Sequence, residues 1–99
     1  MTHDDAGKLL DAMLSLKTRE EMLAFLEDLC TIQEINSMVQ RYDVALLLDQ
    51  GLTYSQIAEI TRASTATISR VNRSLVYGSD GYRAAIGRMK EKDRKKEDV

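Results

Sequence analysis

The chain has 99 residues, 43% hydrophobic and 30% charged, with a formal net charge of −2 at pH 7; that length supports one packed core, and that apolar share is too high for general disorder. One cysteine, Cys30, excludes an intrachain disulfide and suits a reducing, cytoplasmic setting, and one histidine, His3, distant from it in sequence, excludes a zinc site, so no metal is expected. No apolar run approaches the roughly 20 residues of a membrane span, and acidic residues stand near Met1 where a secretory leader would carry positive charge.

Proline is absent, and Ala, Leu, Glu, Lys, Arg and Met are plentiful, so an all-α fold of about six helices is expected. The first should run from Asp5 to Leu16, with Leu9, Leu10, Met13, Leu14 and Leu16 on one face. The second opens at Thr18, whose pairing with Glu21 has the spacing of a capping box, and carries Met22, Leu23, Phe25, Leu26 and Leu29. Thr31 and Glu34 repeat that spacing and open a third helix through Ile35, Met38, Val39, Tyr42, Leu46 and Leu47. Ala45 to Leu48 is apolar on every side, which predicts a central helix, and Gly51 should end it. Three such helices carry more apolar surface than one small core can use, so a homodimer built from the N-terminal half is expected.

Thr53 and Gln56 form a third capping pair, opening a short helix from Tyr54 to about Thr61 with Ile57 and Ala58 inward. Arg62, Ala63 and Ser64 make a tight turn, and Ser64 caps a second short helix from Thr65 through Asn72. Ile68, Val71 and Leu75, three and four apart, give that helix an apolar back. Its front is small and polar, as entry into a major groove about 12 Å wide demands. This is the pattern of a helix-turn-helix over residues 53–75. Thr53, Arg62, Thr65, Ala66, Ser69, Arg70 and Arg73 are the candidate DNA-binding residues: hydroxyls and methyls for base edges, cations and helix N-termini for phosphates. Arg62 stands where such a turn often has glycine.

The remaining segment, 79–99, reads as a last helix capped by Asp80 and carrying Tyr82, Ala85, Ile86 and Met89, then a charged, solvated tail from Lys90. The chain therefore reads as one domain: a dimerisation part (1–50), a helix-turn-helix (53–75) and a C-terminal helix with its tail (79–99). Charge follows that division. Met1 to Gln50 has four Lys/Arg and ten Asp/Glu, a balance of −6, whereas Gly51 to Val99 has ten and six, a balance of +4. A basic half beside an acidic one points to a DNA-facing end and an assembly end.

Ala66–Thr67–Ile68–Ser69–Arg70, followed by Ser74–Leu75, carries a specific resemblance. From about Leu23 to Leu75 the chain resembles the Trp repressor superfamily, most closely its YerC/YecD-like branch. The resemblance implies an intertwined homodimer with two reading heads, acting as a transcriptional regulator, expected to be a repressor, on a palindromic operator in double-stranded DNA. In tryptophan-responsive members a threonine and two arginines help form the corepressor pocket. These align with Thr31, Arg41 and Arg70, a candidate ligand pocket. Each has another reading: Thr31 as an N-cap, Arg41 in a dimer ion pair, Arg70 on a phosphate. The glycine that lets the indole approach the backbone is replaced here by Val71, which argues against tryptophan and leaves no cofactor expected. Whether another small-molecule effector binds is left open. The alternative function is a helical protein-interaction module without DNA specificity of its own. No nucleophile–base pair, metal cluster or phosphate loop suggests an enzyme.

Overall fold

The computed structural model describes residues 3–97, and side chains within 4–96; the side chain of His3 and the tail residues Asp98 and Val99 lie outside the described residues. Six helices follow in order: α1 (His3–Ser15), α2 (Arg19–Leu29), α3 (Ile32–Asp49), α4 (Tyr54–Thr61), α5 (Thr65–Tyr77) and α6 (Gly81–Glu97). Among the described residues there is no strand, and no helix is long and apolar enough to cross a membrane. The chain forms two compact units, Met1–Asn36 and Ser37–Val99, with the division falling inside α3.

The first unit shows how short polar side chains delimit helices. The Thr18 hydroxyl accepts from the Glu21 N–H at 3.1 Å, capping α2, but the Glu21 carboxylate reaches back to the Lys17 N–H at 3.5 Å rather than to Thr18. At α3 the capping box is complete: the Glu34 N–H donates to the Thr31 hydroxyl at 3.1 Å, and the Thr31 N–H donates to the Glu34 carboxylate at 2.8 Å. The Thr31 backbone N–H, and secondarily its hydroxyl, hold the Glu34 carboxyl below its usual range. The cap's contribution is therefore complete above the usual carboxylate pKa and fades as pH falls through the lowered one. No described residue of this unit is fully buried. Leu9, Leu10, Leu14, Leu23, Leu29 and Ile32 are exposed, Leu14 by 83% and Ile32 by 73%.

The core lies in the second unit. Val44 and Ala45 of α3, Ile57 of α4, Ala63 of the turn, Ile68 and Val71 of α5 and Ile86 of α6 are all at most 5% exposed. Tyr42, Leu46, Leu47, Leu48, Leu52, Ala58, Leu75 and Tyr82 pack around them, half-buried. Gly51 ends α3 as expected, with φ +89° and paired bonds from the Gly51 N–H to the Leu48 carbonyl (3.0 Å) and the Leu52 N–H to the Leu47 carbonyl (3.1 Å). That is the double closure of a Schellman motif, in which only glycine takes the left-handed position without steric cost.

Two C-terminal expectations need correction. Asp80 stands at the N-cap position of α6, its carbonyl accepting from the Ala84 N–H at 2.9 Å, but its φ of 66° is left-handed rather than extended and its side chain makes no capping bond among the described residues. Nor does the helix give way to a tail at Lys90: residues 90–96 are exposed, but α6 continues to Glu97. Lys, Glu and Arg are good helix formers, and Arg94, Lys95 and Lys96 in the last turn complement the negative end of the helix dipole. Helix α5 likewise runs past Asn72 to Tyr77 and stops at Gly78, where a Cβ would strike the Ser74 carbonyl.

Candidate nucleic-acid interface

The candidate interface is built from α4, a three-residue turn and α5. Thr53 caps α4 with a complete box: its hydroxyl accepts from the Gln56 N–H (3.2 Å) and its N–H donates to the Gln56 side chain (2.9 Å). Thr53 is exposed, and its hydroxyl proton remains available to an outside acceptor such as a phosphate. At the other end of α4, Arg62 takes φ 65° and ψ 12°, and its N–H closes on the Ala58 carbonyl at 2.9 Å. The turn thus keeps the left-handed geometry that glycine would adopt, with arginine in place.

Side-chain bonds fix the turn. The Thr61 hydroxyl donates to the Ile57 carbonyl (2.8 Å) and accepts from the Ala63 N–H (3.2 Å). Gln40 on α3 donates through Nε2 to the Thr61 carbonyl at 3.1 Å, tying the turn to the central helix. The Ser64 hydroxyl then caps α5, accepting from the Thr67 N–H at 3.1 Å and donating to the Thr67 hydroxyl at 3.1 Å. Sequence reasoning missed the roles of Gln40 and Thr61; Ala63 was placed in the turn but not in the core, where it is 5% exposed. The only signal for Gln40 was an amide among the apolar positions of α3.

Helix α5 has two different sides. Ile68 and Val71 are buried and Leu75 is half-buried. On the other side, Thr65, Ala66, Ser69 and Arg73 fall within an arc of about 100° at helical pitch. Thr65, Ala66 and Arg73 are exposed and Ser69 is half-buried. These four residues and the exposed Arg62 leave small, polar and cationic groups facing outward. Nothing on this front is bulky enough to prevent entry into a major groove.

Arg70 lies at the edge of that front. With Ala66 and Thr67 of α5, and Ser37, Gln40 and Arg41 of α3, it lines an open cleft of about 260 Å³. A second cleft of about 310 Å³ is lined by Met38, Arg41, Arg70, Val71, Ser74 and Tyr82. Two of the three residues of the candidate ligand pocket, Arg41 and Arg70, therefore share both clefts. Thr31 belongs to the first unit, where its backbone and hydroxyl make the α3 cap. Val71 is 1% exposed, a core residue whose edge forms part of the second cleft. Among the described residues no group of His, Cys, Asp and Glu could hold a metal ion.

The Arg62 geometry makes a prediction that separates stability from binding. An L-residue in the left-handed region carries a cost of about 1–2 kcal/mol, partly offset on going to glycine by the greater freedom of the unfolded chain. Arg62→Gly should raise the melting temperature by about 3–6 °C while weakening DNA binding through loss of a cation. Arg62→Ala should weaken binding equally without the gain in stability. Thermal denaturation beside a binding titration checks both.

The chain is similar to proteins of the same architecture. It is 52% identical over 87 residues to the uncharacterized protein YerC of Bacillus subtilis (strain 168), covering 88% of this chain and 84% of that one. A TrpR-like protein from Eubacterium eligens ATCC 27750 superposes with a TM-score of 0.83 at 53% identity, over 87% of this chain and 89% of that one. A Staphylococcus aureus protein proposed to be a Trp repressor gives 0.84 at 45% identity, over 91% and 95%. Residues 5–90 match the family model described as Trp repressor protein, a family of DNA-binding regulators rather than enzymes. A helix-turn-helix with a clear front, carried on six helices of this order, is thus joined by a match over most of the sequence: the chain belongs to the Trp repressor protein family.

Proposed function

We propose that the protein is a cytoplasmic, homodimeric repressor that binds an imperfect palindrome in double-stranded DNA and does not use tryptophan as corepressor. The observation that carries this reading is the two-sided α5. Its back is locked in the core by Ile68 and Val71, and its front presents Thr65, Ala66, Ser69 and Arg73 beside Arg62. The dimer is supported by the first unit, whose apolar side chains are left exposed in a single chain. Two copies related by a two-fold axis would set their α5 helices about 34 Å apart, on successive major grooves of one face.

Two classes of substitution should behave differently. Changing Thr65, Ala66 or Ser69 should alter which sequence is preferred, each lost base contact costing about 1–3 kcal/mol. Arg73→Ala should weaken binding to every sequence and reduce the slope of log K against log salt by about 0.9 per phosphate contact. The test is selection from a random duplex pool, then titration of selected and scrambled duplexes at several salt concentrations. If the wild-type protein showed no salt-dependent affinity for any duplex, the reading would fail and a protein-interaction role would replace it.

The effector reading has its own test. The Val71 side chain belongs to the core and edges the cleft that holds Arg41 and Arg70, the place where the family's ring-binding glycine would stand. L-Tryptophan should therefore neither raise DNA affinity nor shift the melting temperature. Saturable, tight binding by calorimetry would contradict this.

A further inference from the structure

We propose that the outer side of α6, formed by Arg88, Lys92 and Lys95, is a second phosphate-binding surface that grips duplex DNA outside the base pairs read by α5. This rests on the DNA-binding reading above and extends it to an element outside the helix-turn-helix.

Helix α6 carries seven Lys/Arg against three Asp/Glu in a chain whose overall balance is −2. It is firmly anchored at its start. Ile86 is 3% exposed, Tyr82 stacks on Tyr42 with ring centroids 6.5 Å apart, and the Arg83 Nε donates to the Leu75 carbonyl at 2.9 Å. Farther along, the Lys90 ammonium pairs with the Asp49 carboxylate at 2.6 Å. Asp49 is the last residue of α3, shortly before the Thr53 cap of α4. The ion pair places this stretch of α6 beside the corner that leads into the reading unit.

Arg88, Lys92 and Lys95 follow at i, i+4 and i+7, on the side of α6 opposite Ile86 and Lys90. All three are exposed, and none has a partner among the described residues. Helix-dipole compensation accounts for the cations of the last turn, but Arg88 and Lys92 precede that turn. From Arg88 to Lys95 the helix spans about 10 Å, along which a duplex presents about six phosphate charges. A protein partner fits less well. From Arg88 to Lys95 one side chain alone is apolar, the 47% exposed Met89, whereas the buried centre of a protein interface is built on several apolar and aromatic anchors and is poor in lysine.

The experiment uses the full chain and the triple variant R88Q/K92Q/K95Q, with Lys92→Gln as a milder companion. Glutamine is close to lysine and arginine in helix propensity, so helix content and hydrodynamic mass should be unchanged. Each protein is titrated over several salt concentrations on the selected site alone and on that site extended by about one helical turn, roughly 10 base pairs, at each end. The wild type should bind the longer duplex more tightly and with a steeper salt slope. The triple variant should lose that difference, its slope falling by about 0.9 per phosphate contact removed and its affinity for the long duplex dropping roughly tenfold or more near physiological salt. Lys92→Gln should lose about one such contact. If the triple variant keeps the wild-type slope and affinity on the long duplex, the proposal is overturned while the α5 reading stands. A change in hydrodynamic mass instead would assign the stripe to protein assembly and also overturn it. A wild-type protein that binds neither duplex would defeat the α5 reading itself.

Discussion

Leu46→Asp and Leu47→Asp should each abolish the fold and with it the proposed dimer, giving a chain with little helix at room temperature. Both leucines are half-buried and pack against the cluster that contains Val44, Ala45, Ile57 and Ile68. An aspartate there must either ionise without a partner in an apolar setting or take up a proton to avoid doing so, and both options are costly. The lost leucine contacts add roughly 2–5 kcal/mol, so the total approaches the 5–15 kcal/mol that holds a typical domain together. The margin is narrower still because the first unit has no fully buried side chain of its own. Circular dichroism and sedimentation should therefore fail together in these variants, while wild-type protein sediments as a dimer. A wild-type chain that is a cooperative, fully helical monomer at micromolar concentration would refute the dimer.

How much of this could be read from sequence depended on the range of the interaction. Thr31 with Glu34 and Thr53 with Gln56 are pairs three residues apart, and both capping boxes formed as expected because every participating group is local. Gly51 and the Ile68–Val71 spacing were legible for the same reason. The short helix-turn-helix was readable as a unit because caps, turn and apolar spacing all agreed within residues 53–75. Contacts between distant segments left no such trace. The Gln40 bond to Thr61 joins residues 21 apart, and the Tyr42–Tyr82 stack joins residues 40 apart, so neither follows from any local pattern. The C-terminal helix was misjudged for a different reason. Its second half has no apolar face, and only the Lys90–Asp49 pair and intrinsic propensity show why a charged segment there is helical. Arg62 was recognised as a departure from the usual glycine, but only its φ of 65° shows that the backbone kept the left-handed turn and left arginine to accommodate it.

Val71→Gly should have the second large effect, acting on stability and ligand binding in opposite directions. Val71 is 1% exposed on α5 and packs within the core cluster. Removing its side chain deletes three buried carbons and leaves a cavity, and glycine inside a helix costs about a further 1 kcal/mol. The sum is about 3–4 kcal/mol, enough to lower the melting temperature by more than 10 °C. The same deletion enlarges the cleft lined by Arg41 and Arg70, whose guanidinium groups are suited to a carboxylate. L-Tryptophan, inert toward the wild type, should therefore bind the variant and recover part of the lost melting temperature in a concentration-dependent way, since a ligand held only by the folded state stabilises it by mass action. If Val71→Gly proves too unstable to purify, Val71→Ala opens less space at smaller cost and should show a weaker version of the same response. Replacing Arg70 by Ala in either background should remove it. A Val71→Gly protein that is folded yet unmoved by millimolar tryptophan would mean that something other than the valine side chain keeps the ring out.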